Sequence, residues 1–208
     1  MKMSITQALA ELKLLDARIH RGVSGAMFCT GYMVNTKING TLTPAEAESS
    51  IASNWQSVND LIKRRADIKA KIVESNAKTA VEVNGVTMSV AAAIERKGSV
   101  QYEQSLLDKM KHDFRSSLGV VTQGNEQARH RAQEALNAVL GKESGKTPSK
   151  EDIAAVFDPV YQRYEHKLLD PLGLEKKIAE LEEGIDGFLS NVDFSLSTSN
   201  ALTTIEVE

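Results

Sequence analysis

The sequence predicts a mainly α-helical fold, with long antiparallel helical hairpins or a bundle and a small β-hairpin or three-stranded sheet at one end. Three observations predict it. Aromatic residues are only 5% of the chain while hydrophobic residues reach 41%, so the core is built from Ala, Leu, Ile and Val, a composition that suits helix-on-helix packing. Four prolines in 208 residues permit long uninterrupted helices, because proline removes a helical hydrogen bond and clashes with the preceding turn. Finally, SNAKTAVEV at 75–83 and SNALTTIEV at 199–207 are identical at six of nine positions. Each follows a long helical pattern and turns towards the alternation of a strand. One domain over 1–208 is expected, with short β elements near 34–43, 79–88 and 203–207.

The first helix is read from Ile5, Leu9, Leu12, Leu15 and Ile19, spaced four, three, three and four, an amphipathic stripe. Gly22 and Gly25 are expected to end it. Asn39-Gly40 signals a two-residue turn. Thr43-Pro44-Ala45-Glu46 is a helix start: a hydroxyl cap, proline at the first helical position and the glutamate of a capping box. The helix that follows is expected to reach about Ser75 and to bury Ile51, Trp55, Val58, Ile62, Ile68 and Ile72, with a left-handed cap at Asn76. Its length calls for a partner helix in a coiled-coil-like hairpin.

Asn84-Gly85 marks a second turn, and Ser89 caps a third long helix. INGTLTPAEA and VNGVTMSVAA share one grammar of strand, Asn-Gly turn, short strand, hydroxyl cap and helix. Gly119 and Gly124 predict a break, followed by a shorter helix. GKESGKTPSKED at 141–152 reads as an exposed loop ending in a cap at Ser149. Asp158-Pro159 and Asp170-Pro171 predict breaks or kinks, since the residue before proline is pushed out of the α region. The last helix carries Leu174, Ile178, Leu181, Ile185, Phe188, Val192 and Leu196 on one stripe. An isolated two-stranded hairpin is marginal, so the exit strands 79–83 and 203–207 are expected in one small sheet, or the last strand pairs with another subunit.

Chemistry is sparse. A net charge of −3 creates no field for nucleic acid. Tyr161 and Tyr164 beside Arg163 are the one basic-aromatic cluster, and a helix face accounts for them. The single Cys29 has no intramolecular disulfide partner, which fits a reducing compartment. His20, His112, His130 and His166 form no metal-ligand spacing and read as solvated helix residues. No phosphate loop, dinucleotide turn or nucleophile elbow occurs. The expectation is a non-enzyme without cofactor or metal. No run approaches the length of a membrane span, and the chain is expected in the cytoplasm.

The stretch ESNAKTAVEVNGVTMSVAAAIERKGSVQYEQSLLDKM, with Asn76, Thr79, Gly85, Ser89 and Arg96, resembles the centre of the septicolysin-like family of small helical proteins. A fainter match falls on SNALT near the end, where the family's Asn-Trp is replaced by Asn200-Ala201. The resemblance implies a helical homo-oligomer, and the family name implies haemolysis, although no amphipathic stretch with a basic polar face is present. The chain is also similar to bacteriophage proteins, which would place it in a host bacterial cytosol.

A binding site is expected where polar helix ends meet basic residues: Lys63, Arg64, Asn76, Thr79, Arg96, Asn200 and Thr203; if the second and third long helices form a hairpin, its two basic clusters face the same end of the bundle. Cations beside hydroxyls and helix termini suit an anion. The expected function is therefore a homo-oligomeric binder that sequesters a small anionic, nucleotide-type signal, as a phage anti-defence sponge does. The alternatives are a structural or interaction protein built on coiled-coil-like helices and a haemolysin-like toxin.

Overall fold

The computed structural model describes residues 1–140 and 149–207. It is mainly helical, with long packed helices and two small two-stranded antiparallel sheets. In chain order the elements are β1 (Lys2–Ser4), α1 (Ile5–Gly25), α2 (Pro44–Lys78), β2 (Ala80–Val83), β3 (Val86–Ser89), α3 (Val90–Leu140), the single turn α4 (Lys150–Asp152), a π-helical turn (Ile153–Phe157), α5 (Asp158–Tyr164), α6 (Leu174–Leu202) and β4 (Thr204–Glu206). Their packing forms two compact units: Met1–Gly98 with the stretch from Gly187 onward, and Ser99–Asp186. The loop expected at 141–152 falls mostly outside the described residues.

In the first unit the helix starts are capped as their sequences dictate. Thr43 accepts a hydrogen bond from the Glu46 N–H, and the Glu46 carboxylate accepts one from the Thr43 N–H at 2.8 Å. Ser4 and Gln7 form the same box at the start of α1. α1 and α2 are an antiparallel hairpin, since Glu11 pairs with Arg64 at 2.7 Å while the Met27 carbonyl accepts from Asn54 at 3.2 Å. The short strands and two-residue turn expected near 34–43 reduce to an isolated Ile38–Leu42 bridge around three residues, where Asn39 and Gly40 take positive φ at 50° and 76°. Asn84 and Gly85 do the same, at 50° and 75°, between β2 and β3.

Several expectations need correction here. The two exit strands do not share a sheet: β2 pairs with β3, and β4 pairs with β1. The reason is that residues 2–4, to which the sequence pattern assigns no element, supply the partner for β4. Asn76 lies inside α2, which continues to Lys78 and is closed by Thr79 in an extended conformation. Trp55 and Ile62 are exposed, because the stripe of α2 that meets α1 is Val58, Leu61, Ile68 and Ile72, about a quarter of a turn away. Leu9 is likewise at the surface and Ala8 takes its buried place.

The second unit corrects the expected break in α3. The helix runs unbroken through Gly119 and Gly124, because a lone helical glycine weakens a helix by only about 1 kcal/mol. Gly124 has a different purpose: a Cβ there would collide with the His166 ring. His166 is not on a helix. It sits in the extended segment after α5, where its N–H donates to the Asn125 side chain at 2.7 Å and its carbonyl accepts from the same amide at 3.0 Å. Asp158 also stays helical before Pro159. The Asp158 N–H reaches the Ile153 carbonyl, and this π-helical widening makes room for the proline ring. The Asp170-Pro171 break forms as expected, with the Asp170 carboxylate accepting from the Leu172 and Leu174 N–H groups. Tyr164 lies under Arg131 at 4.7 Å and Arg163 at 5.8 Å, so its basic neighbours stack on it within the chain.

Two measurements follow from this packing. In urea titrations, Gly124→Ala should destabilise by about 1–3 kcal/mol through the displaced His166 ring. Gly119→Ala, where a Cβ meets nothing within 4 Å, should stabilise by about 0.5–1 kcal/mol; equal effects would mean that the His166 contact is not formed. Separately, the Thr43 backbone and hydroxyl hydrogen bonds hold the Glu46 carboxyl below its ordinary value. A depressed acid contributes stability that is complete above its unfolded pKa and is lost as pH falls through the folded one. The gap in stability between wild type and Glu46→Gln should therefore shrink below the ordinary carboxylate range, as followed by circular dichroism.

Candidate functional site

The repeated nine residues form two helix exits built alike. At the first, the Thr79 N–H closes α2 on the Ser75 carbonyl at 2.8 Å, and the Thr79 carbonyl accepts from the Val90 N–H at 2.9 Å. At the second, the Thr203 N–H closes α6 on the Ser199 carbonyl at 2.9 Å, and the Thr203 carbonyl accepts from the Ile5 N–H at 3.0 Å. The strands match in register as well. Val81 faces Met88 as Ile205 faces Met3, and Ala80 faces Ser89 as Thr204 faces Ser4. Ser89 caps α3 as Ser4 caps α1.

The likeness therefore extends beyond the exits. Met3-Ser4-Ile5 and Met88-Ser89-Val90 are a second repeat, and it was the signal for β1 that the sequence reading passed over. Each copy is a helix, a strand pair and a helix. In one copy Asn84-Gly85 joins the strands; in the other, Met1 and Val207 pair where Val86 and Val83 flank that turn. The packing is reciprocal. Met3, Ile5, Ala8, Ile205 and Val207 of the open copy bury themselves against Ile68 and Ile72 of α2. Met88, Val90, Ala93, Val81 and Val83 of the closed copy pack against Val192 and Leu196 of α6. Exchange of equivalent elements in this way is an approximate two-fold relation inside one chain.

Two grooves of similar size follow from it. One, about 360 Å³, lies between the end of α2 and β4; the other, about 350 Å³, lies between the end of α6 and β2. Thr79 and Thr203 line both. Their walls occupy equivalent positions but differ in chemistry. The first holds Lys71, Glu74 and Lys78, with Glu74 accepting from Lys78 at 2.6 Å and its carboxyl held low by that bond and by the charges of Lys78 and Lys71. In the second the counterparts of Lys71, Glu74 and Lys78 are Ser195, Thr198 and Leu202, and Phe194 joins the wall. Ser195 donates to the Glu82 carbonyl at 2.8 Å, tying the edge of β2 to α6.

The expected site residues divide. Thr79 and Thr203 come together, while Asn76 and Asn200 are half-buried in the last turns of α2 and α6. Lys63, Arg64 and Arg96 line neither groove. They were expected on one helical hairpin of α2 and α3, but α2 pairs with α1 and the start of α3 with the end of α6. Lys63 is exposed, Arg64 binds Glu11, and Arg96 stacks on the Phe188 ring at 4.4 Å. Arg64 and Phe188 are equivalent positions of the two copies, as are Glu11 and Arg96. The two helix pairs that join the copies are therefore locked differently, α1 to α2 by an ion pair and α3 to α6 by a cation–π contact. Among the described residues no three His, Cys, Asp or Glu side chains converge as a metal site, and no helix is long and apolar enough to cross a membrane.

The chain matches no family model, no curated protein and no solved structure.

The two locks should differ in strength. Phe188 is buried, so Phe188→Ala should destabilise by about 3–5 kcal/mol. Arg64→Ala removes a half-exposed ion pair and should cost about 1 kcal/mol. Comparable losses in denaturant titrations would show that the equivalence of these positions does not extend to their energetics.

Proposed function

We propose that this chain is a non-enzymatic, homo-oligomeric binding protein that acts through its helix faces. The observation that carries this reading is a row of apolar side chains on the outer face of α2. Trp55, Ile62 and Val73 are 62%, 45% and 57% exposed, and with Ala66 they are spaced seven, four and seven, the interval of a coiled-coil seam. Isolated exposed apolar residues are ordinary, but an aligned row along one helix marks a contact surface. The internal two-fold relation strengthens the point. The positions of α6 equivalent to Ala66 and Val73 are Ser190 and Ser197, so the fold itself does not require apolar residues there.

An anionic ligand in the grooves draws less support. Both α2 and α6 end there, and a helix C-terminus carries partial negative charge. The association reading needs no such ligand.

Native mass spectrometry and light scattering test it. At about 100 μM, where a micromolar contact is saturated, the protein should be oligomeric. Ile62→Lys with Val73→Lys should return it to monomer with unchanged helicity, because both side chains lie at the surface. A wild-type chain that is monomeric at that concentration would overturn the proposal.

A further inference from the structure

Resting on that self-association, we infer that the groove between β2 and the end of α6 is the receptor for the outer stripe of α2 from a second copy of the chain. The groove presents Phe194 and Leu202, 75% and 78% exposed. The equivalent positions of the other copy are Ala70 and Lys78, both at the surface of α2. The same local fold thus forms with a small and a charged residue in these places. Folding does not explain a phenylalanine and a leucine held in water at the rim of one groove only; a contact does.

Charge selects the occupant. Glu82 lines the groove, Asp193 adjoins Phe194, and the C-terminal end of α6 adds the partial negative charge of its last carbonyls. Asp193 is already engaged by Lys97, which leaves Glu82 and the helix end as the field a partner meets. The stripe of α2 is apolar and flanked by the exposed Lys63 and Lys69, with Arg65 alongside, held by Asp16. An apolar ridge with basic flanks fits an apolar groove with an acidic rim. Ridge and groove are different surfaces, so the contact is heterologous, and successive copies close a ring or extend a filament.

The internal repeat supplies the variant. Phe194→Ala with Leu202→Lys rewrites the groove as its counterpart, so the fold has a precedent for both residues. The expected result is a monomer with wild-type circular dichroism. Trp55 is the only tryptophan, and its emission should shift to the blue as wild-type protein is concentrated. That shift should vanish in this variant, although Trp55 is on a different helix. Glu82→Lys and Lys69→Glu should each weaken assembly at least tenfold, and the two together should restore it. If the groove variant still assembles and keeps the Trp55 shift while Ile62→Lys with Val73→Lys does not, the groove assignment falls and the self-association reading stands. If the double charge reversal is no better assembled than either single variant, the proposed pairing of Glu82 with Lys69 is wrong. A wild-type protein that stays monomeric removes both readings together.

Discussion

The first unit is organised by two backbone hydrogen bonds, from the Ile5 N–H to the Thr203 carbonyl and from the Val90 N–H to the Thr79 carbonyl. Each links the residue that ends one helix to the residue that begins another. A helix leaves its last carbonyls and first N–H groups without partners, and here the exit of one helix satisfies the entry of the next across a short antiparallel strand pair. The strands are only three or four residues long, too short to be stable alone. They persist because every second side chain is buried against a helix of the other copy: Val81 and Val83 at one exit, Ile205 and Val207 at the other.

Equivalent backbone has been kept while surface chemistry has diverged. Most buried positions of the two copies remain apolar, as close packing demands. The outward positions do not, and neither does the position of the buried Phe188, whose counterpart is Arg64. One pair of helices is locked by Arg64 on Glu11, the other by Arg96 on Phe188. One groove is rimmed with lysines bridged by Glu74, the other with Phe194 and Leu202. Because the two copies share a fold, each difference between them is a difference the fold does not dictate. That makes the exposed apolar residues of α2 and α6 informative, where on an unrepeated protein they would be ordinary surface.

The glycines illustrate the same separation between local and tertiary demands. Gly40 and Gly85 are required by backbone conformation, with positive φ in a three-residue and a two-residue turn respectively. Gly124 and Gly187 sit in regular helix, and what they permit is close approach, of the His166 ring in one case and the Asn84 side chain in the other. A sequence window distinguishes the first kind by its Asn-Gly pair. It reads the second kind as a weak point in the helix, which is how Gly124 came to predict a break that the chain does not have.

The sequence alone determined the local elements: the caps at Thr43, Ser89 and Ser149, the turns at Asn39-Gly40 and Asn84-Gly85, the mainly helical class, and the likeness of the exits at Thr79 and Thr203. These rest on interactions within a few residues, where spacing and side-chain chemistry suffice. Pairing was decided only in three dimensions. That β4 would find β1 rather than β2, that α2 would lie against α1, and that Trp55 and Ile62 would face outward all depend on which segments distant in the chain become neighbours. Of the expected site residues, Thr79 and Thr203 meet because both are exits of one repeated design, and the repeat was legible. Lys63, Arg64 and Arg96 were grouped by their charge and by an assumed helix pair, and the observed pairs place Arg64 on Glu11 and Arg96 on Phe188 instead. A stripe read from periodicity gives the angle of a helix face, while the identity of the helix that covers it is a property of the whole fold.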